Sequence, residues 1–234
     1  SKFRKEDQIQ IWNVETGQVV RNFQASEYGS EVTDLTFKPD GTQFAAYDQS
    51  DKTIYVFDVK SGEKLGSYTP SADIYIADRK IAFHPYKPWL AASGQGVHAW
   101  DTSTGNEVFF AVGYSDMVAF SPGGDLAAGA DDNYGLSVWD VNRVEEKSED
   151  WLYSANRKLG LHHELMCRHA LIAAAFHPDE SVLAATAGQA VLLWNLETGE
   201  LIRELKGHGG QVHSLSFHPS GMRLHFHRHL HFQS

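Results

Sequence analysis

The sequence predicts an all-β protein assembled from repeated, small four-stranded antiparallel sheets. Three observations carry that expectation. An aromatic anchor motif recurs along the chain, a Phe-x-Pro turn recurs upstream of it, and a strand of small residues recurs between the two. No segment shows a long 3.6-residue apolar pattern with caps at both ends.

The anchor is clearest in two stretches, IQIWNVETGQVVRNFQ from Ile9 and LLWNLETGELIRELKGH from Leu192. Aligned on Trp12, similar positions recur at Phe57, Trp100, Trp139 and Trp194, at intervals of 45, 43, 39 and 55 residues. Each anchor is followed by Asn or Asp: Asn13, Asp58, Asp101, Asp140, Asn195. Gly17, Gly62, Gly105 and Gly199 stand five residues after four of the anchors. A short polar turn ending in Gly joins two strands, because Gly accepts the positive φ such turns need.

The second series reads FKPDG at Phe37, FHPYK at Phe83, FSPGG at Phe120, FHPDE at Phe176 and FHPSG at Phe217, which is turn chemistry. The third reads FAAY at Phe44, LAAS at Leu90, LAAG at Leu126 and LAAT at Leu183. Small residues suit a strand whose neighbouring sheets approach closely. Each unit therefore reads strand, turn, strand, loop, strand, anchor, turn, strand. Complete units span roughly 31–70, 73–111, 113–165 and 168–206. Residues 9–24 supply only the last two strands of a unit, and 211–224 only the first two.

Four-stranded units of about 40–45 residues with a Trp-Asp anchor resemble the WD-repeat (WD40) β-propeller family. The resemblance runs from about Ile9 to Leu224, with five anchors and five turns in register. It implies antiparallel blades that bury their faces by stacking on one another. The two partial units form one split blade if the ring has five blades; otherwise the chain is a fragment of a larger, seven-bladed propeller. One of the family's Gly-His dipeptides is present, Gly207-His208. The expected organisation is a propeller domain over 1–224 and a His-rich, non-repeat tail over 225–234.

The resemblance also implies a rim built from two loop types. The loop between second and third strands contributes Asp48, Gln49, Asp51, Gln95, Asp131, Asp132, Asn133, Tyr134 and Gln189. The loop before the first strand contributes Tyr28, Asp73, Tyr75, Tyr114, Asp116 and His208. Tyrosines beside carboxylates suit a basic peptide or loop, since Tyr offers large area with few rotors. The long interval before Trp194 places about 13 extra residues after Asp140, in a segment that mixes charge with Trp151, Leu152 and Tyr153. Long loops on a rigid scaffold tend to carry function, so Trp151 joins the expected partner-binding set.

Composition supports a binding module over the alternatives. Lys plus Arg number 20 and Asp plus Glu 30, giving a formal charge of −10, which disfavours phosphate backbones. No apolar run approaches the roughly 20 residues of a membrane helix. The single cysteine, Cys167, rules out an intrachain disulfide and fits a reducing, cytoplasmic compartment.

Enzyme signatures are sparse, and no cofactor is expected. SPGGDLAAGADD (Ser121 to Asp132) lacks the Gly-Lys-Ser/Thr ending of a phosphate loop. In HHELMCRH, His163 and Cys167 would share a face if helical, giving a zinc pair or a nucleophile with its base. Asp58, Asp101 and Asp140 read as turn-formers rather than acid/base groups. In the tail, His225, His227, His229 and His231 would share one strand face, a possible transition-metal site. Same-face residues roughly 6.5–7 Å apart make a compact tetrahedral site awkward. The expected function is a non-catalytic protein-interaction scaffold, with a His-rich metal binder or a central-channel enzyme as alternatives.

Overall fold

Within each unit, β-branched and aromatic residues alternate over a few positions and then meet a turn, which favours short strands. The computed structural model describes residues 9–25, 31–69, 80–94, 96–112, 115, 117–130, 135–142, 161–167 and 171–228. Among these residues there are twenty strands and no helix. The first sheet has two strands, β1 (Ile9–Trp12) and β2 (Val19–Phe23). Four four-stranded sheets follow. The first is β3 (Val32–Phe37), β4 (Gln43–Asp48), β5 (Thr53–Asp58) and β6 (Lys64–Tyr68). The second is β7 (Ile81–Phe83), β8 (Trp89–Gly94), β9 (Gly96–Asp101) and β10 (Glu107–Val112). The third is β11 (Val118–Phe120), β12 (Leu126–Ala130), β13 (Gly135–Asp140) and β14 (Leu161–Met166). The fourth is β15 (Ala174–Phe176), β16 (Val182–Ala187), β17 (Ala190–Asn195) and β18 (Leu201–Leu205). A final pair comprises β19 (Val212–Phe217) and β20 (Leu224–Arg228). Each strand pairs antiparallel with its sequence neighbour, as the unit pattern predicts.

The small-residue strand faces both neighbouring blades. Ala45 packs into the following blade and Ala46 into the preceding one, and Ala91 and Ala92 repeat the arrangement. Pairing shifts the third blade by one residue: Phe120 stands opposite Ala127, where Phe83 stands opposite Leu90. Gly129 therefore takes the place of Ala92. A Cβ there would lie 2.7 Å from Val97 of the second blade, so only glycine fits.

The anchors of the complete blades pack backwards. Trp100 joins Ala45, Tyr47, Ile54 and Val56 of the blade before it, and Trp194 joins Met117, Ala128, Leu136 and Val138. The register slips beside each anchor, at Ile11/Trp12, Val56/Phe57, Val138/Trp139 and Leu193/Trp194 and, opposite Trp100, between Glu107 and Phe109, and a bulge there raises local twist. The residue after the anchor caps the next turn. Asn13, Asp101 and Asn195 each accept two backbone N–H groups, while Asp58 accepts that of Ser61 and Asp140 that of Asn142. Those carboxylates are turn-formers, as expected.

Blades are also clipped to one another. Arg21 donates to the carbonyls of Lys60 and Ser61, and the Ile81 N–H donates to Asp34. His84 Nδ1 accepts the N–H groups of Tyr86 (3.0 Å) and Lys87 (2.9 Å), leaving Nε2–H to donate to Gly124 O at 2.8 Å. His177 Nε2 lies 3.1 Å from Gly221 O in the same way, and the Gly123 N–H donates to Glu180. His84 and His177 thus join the turn of one blade to the turn of the next, whereas His218 bonds Ser220 within its own turn.

Two conditional readings meet the structure. The described part of HHELMCRH, residues 162–167, is not helical: Leu161–Met166 is the fourth strand of its blade, because β13 needs an outer partner and pairs Ser137 with Glu164. His163 Nε2 lies 2.6 Å from Leu196 O of the next blade, so the residue is engaged in blade packing. Closure into a five-bladed ring is not seen among the described residues, where β1–β2 and β19–β20 remain two separate sheets. β20 itself runs through Arg228, four residues beyond the motif register. His225 and His227 lie on it opposite Ser216 and Ser214, while His229 and His231 lie outside the described residues.

Candidate interaction rim

The loops before first strands and those between second and third strands emerge on one edge of the blades, and backbone bonds lace them together. Gln49 N–H donates to Glu31 O at 2.8 Å within the first full blade. Ser115 N–H donates to Gly94 O at 2.8 Å, and Val212 N–H to Gly188 O at 2.9 Å, each joining one blade to the next. The loops differ in length. Asp48 pairs with Thr53 across four intervening residues, whereas Ala187 pairs with Ala190 across two.

Five of the rim residues are described: Asp48, Gln49, Asp51, Gln189 and His208. Asp48 is buried. Its Oδ1 accepts the N–H groups of Glu31 (3.1 Å) and Ser50 (3.0 Å) and the Ser50 hydroxyl, while Oδ2 is enclosed with no partner among the described residues. Asp48 therefore holds the rim from within instead of facing a partner. Asp51 is exposed; it accepts Thr53 N–H at 3.1 Å and the Tyr55 hydroxyl at 2.5 Å. Burial and the nearby Asp51 carboxylate push the Tyr55 phenol up to about 12. Gln189 is exposed at a turn set by Gly188, whose φ is +62°. His208 packs edge-on to Phe226 with ring centroids 4.1 Å apart, and its Nε2 is enclosed without a partner among the described residues.

Tyr28, Asp73, Tyr75, Gln95, Tyr114, Asp116, Asp131, Asp132, Asn133, Tyr134 and Trp151 lie outside the described residues. Sequence reasoning missed Tyr55 and Ser50, which organise the Asp48–Asp51 loop. The alternation of TIYVFD places Tyr55 on the face opposite Ile54 and Val56, and that signal was available.

On the opposite edge the Phe-x-Pro turns carry their own electrostatics. Ser181 hydroxyl and N–H bonds, aided by His177, hold Asp179 down to about 2; Thr42 and Lys38 do the same for Asp40. Between the innermost strands a cavity of about 380 Å³ is lined by Thr36, Ala82, Ala119, Ala175 and the prolines Pro85 and Pro122, together with aromatic and small side chains. Among the described residues no helix is long and apolar enough to cross a membrane.

A family profile described as "WD domain, G-beta repeat" matches residues 17–58 and 199–224, within the sheets whose anchors and turns recur. The chain belongs to the WD-repeat family. This WD-repeat chain is 30% identical over 216 residues to the transcriptional corepressor LEUNIG_HOMOLOG of Arabidopsis thaliana, covering 90% of this chain and 25% of that protein. It is 27% identical over 200 residues to the anaphase-promoting complex subunit cdc20 of Dictyostelium discoideum, covering 82% and 37% respectively. Similarity to the Lissencephaly-1 homolog of Caenorhabditis briggsae is 27% over 125 residues, or 52% and 29%. The WD-repeat chain thus spans between about a quarter and 37% of these relatives.

Proposed function

We propose that this chain is a non-catalytic scaffold that presents its rim loops to a protein partner, with a basic peptide segment as the preferred chemistry. The observation that carries this reading is the lacing of rim loops across blades, which makes adjacent loops one preorganised surface. Exposed Asp51 and Gln189 and the overall charge of −10 favour a cationic partner over nucleic acid or an anionic membrane surface. Similarity to a corepressor and to a subunit of a complex supports a role in assemblies. A cytoplasmic setting is part of the same proposal, resting on the single cysteine.

The test is a fluorescence-anisotropy screen of lysine- and arginine-rich peptides against the purified chain. Binders are expected to weaken at least tenfold in a double variant, Asp51→Lys with Gln189→Lys, whose circular dichroism is unchanged. Equal affinity for that variant would place the binding surface away from the rim.

A further inference from the structure

Two Phe-His-Pro motifs clip one blade to the next, and the groups around the two rings make opposite demands on their protons. At the seam between the second and third blades, His84 is 2% exposed. Its Nδ1 accepts two N–H groups, from Tyr86 at 3.0 Å and Lys87 at 2.9 Å, and its Nε2–H donates to Gly124 O at 2.8 Å. Only the neutral ring, with its proton on Nε2, makes all three bonds. A proton on Nδ1 would point at two donors, and among the described residues no acceptor faces that atom.

The surroundings of His84 reinforce this demand. Trp89 and Phe120 meet the ring edge-on, and a Cβ on Gly124 would come within 2.5 Å of Cε1, so the ring is closely seated. The charged groups that act on it are Lys87 of its own turn and Asp125 of the third blade. Burial holds the imidazole below its ordinary 6.5, the Lys87 charge adds to that, and the Gly124 bond and Asp125 offset it only in part. Lys87 Nζ donates to Asn142 Oδ1 at 2.7 Å, and Asn142 Nδ2 to Asp125 Oδ1 at 2.7 Å, a second bridge over the same seam.

His177 joins the fourth blade to the β19–β20 turn, and it faces an acceptor on each side. Nδ1 lies 2.5 Å from Asp179 Oδ1, and Nε2 lies 3.1 Å from Gly221 O. The Ser181 hydroxyl and N–H help keep Asp179 an anion down to about 2. The Asp179 N–H, 3.3 Å from Nδ1, is at the exposed surface, where water can replace the ring. Phe217, edge-on at 5.0 Å, is uncharged. An added proton therefore finds a carboxylate or a carbonyl, and the clip keeps both bonds. The residue two places after the histidine makes the difference: Tyr86 in one turn, Asp179 in the other.

We propose that the seam between the second and third blades carries an acid-opened latch: protonation of His84 releases its turn from Gly124, while the matching clip at His177 stays shut. The opening is local. Below the latch Ala91, Val97, Val118 and Ala127 still pack the two blades together, and at the rim Ser115 N–H still bonds Gly94 O. The latch lies on the edge opposite the rim, so it is independent of what the rim binds.

Amide hydrogen exchange followed by NMR tests it, because the Tyr86 and Lys87 N–H groups point at His84 Nδ1 itself. Protection is referenced to the unfolded-chain rate at each pH. From pH 8 to about pH 5, protection of both amides is expected to fall about tenfold for each pH unit below the folded value of His84. Amides of β8 and β12 are expected to hold, which separates opening from unfolding. The Nε2–H resonance of His84 is expected to vanish over that range, and that of His177 to persist. His84→Asn supplies an acceptor that does not titrate, so Lys87 protection in that variant should be the same at both ends of the range. Tyr86→Asp, at a position 77% exposed, puts a carboxylate where the fourth blade has Asp179, and the His84 Nε2–H should then persist in acid. Tyr86 and Lys87 amides that follow the strand amides at every pH would overturn the latch. So would equal loss of the His84 and His177 resonances, acid-dependent exchange that survives His84→Asn, or a Tyr86→Asp variant that behaves like the parent.

Discussion

His84 offers a sharp quantitative prediction, since one imidazole both caps its own turn and clips two blades together. Its Nδ1 accepts the N–H groups of Tyr86 and Lys87, and its Nε2–H donates to Gly124 O. The ring also packs edge-on to Trp89 and Phe120, at centroid distances of 5.6 and 5.0 Å. Three hydrogen bonds at about 1 kcal/mol each, plus about 1 kcal/mol for the ring contacts, set the loss in His84→Ala at about 4 kcal/mol. His84→Asn keeps an acceptor for the turn but cannot span to Gly124, so about 2 kcal/mol should be lost. Urea unfolding at pH 8 measures both. Burial holds the imidazole below its ordinary value of 6.5. Between that depressed value and 6.5 the unfolded chain binds more protons than the folded one, so stability rises with pH there. The contribution is fully present above about 6.5 and is lost as pH falls through the folded value, with a slope of at most about 1.4 kcal/mol per pH unit. His84→Asn should remove that share of the slope. Variants as stable as the parent at pH 8 would refute the clip, and an unchanged slope in His84→Asn would refute the titration argument.

Other outcomes follow from the same packing. Trp100→Ala should cost about 3–5 kcal/mol in urea unfolding, as for other buried aromatics, whereas Trp12→Ala in dilute chain should cost under about 1 kcal/mol. Gly129→Ala should destabilise by about 1–3 kcal/mol, because its Cβ meets Val97, Ser115 and Trp139 within 3.1 Å. Asp48→Ala should cost about 1–3 kcal/mol by leaving Glu31 and Ser50 donors unmatched; limited proteolysis would then report a loosened rim.

The repeat carried the fold. Because the same packing problem recurs in each blade, the anchors, turns and small-residue strands recur in the sequence and can be aligned by eye. The capping role of Asp58, Asp101 and Asp140 was equally legible, since a short carboxylate bonds its own backbone two or three residues on. The rim was legible only as a set of loops. That Asp48 turns inward while Asp51 stays exposed depends on Glu31, seventeen positions earlier, and on the course of the bulged β3–β4 pair.

Local chemistry, then, determined strands, turns and blade boundaries, because each is settled by neighbours within a few residues. Tertiary structure decided the rest: Leu161–Met166 became an edge strand because β13 needed a partner, and His84 and His177 became clips because Gly124 and Gly221 lie across a blade interface. Trp12 and Trp100 share one motif yet differ in burial, since burial is a property of what packs against a side chain from far along the chain, and no local motif encodes it.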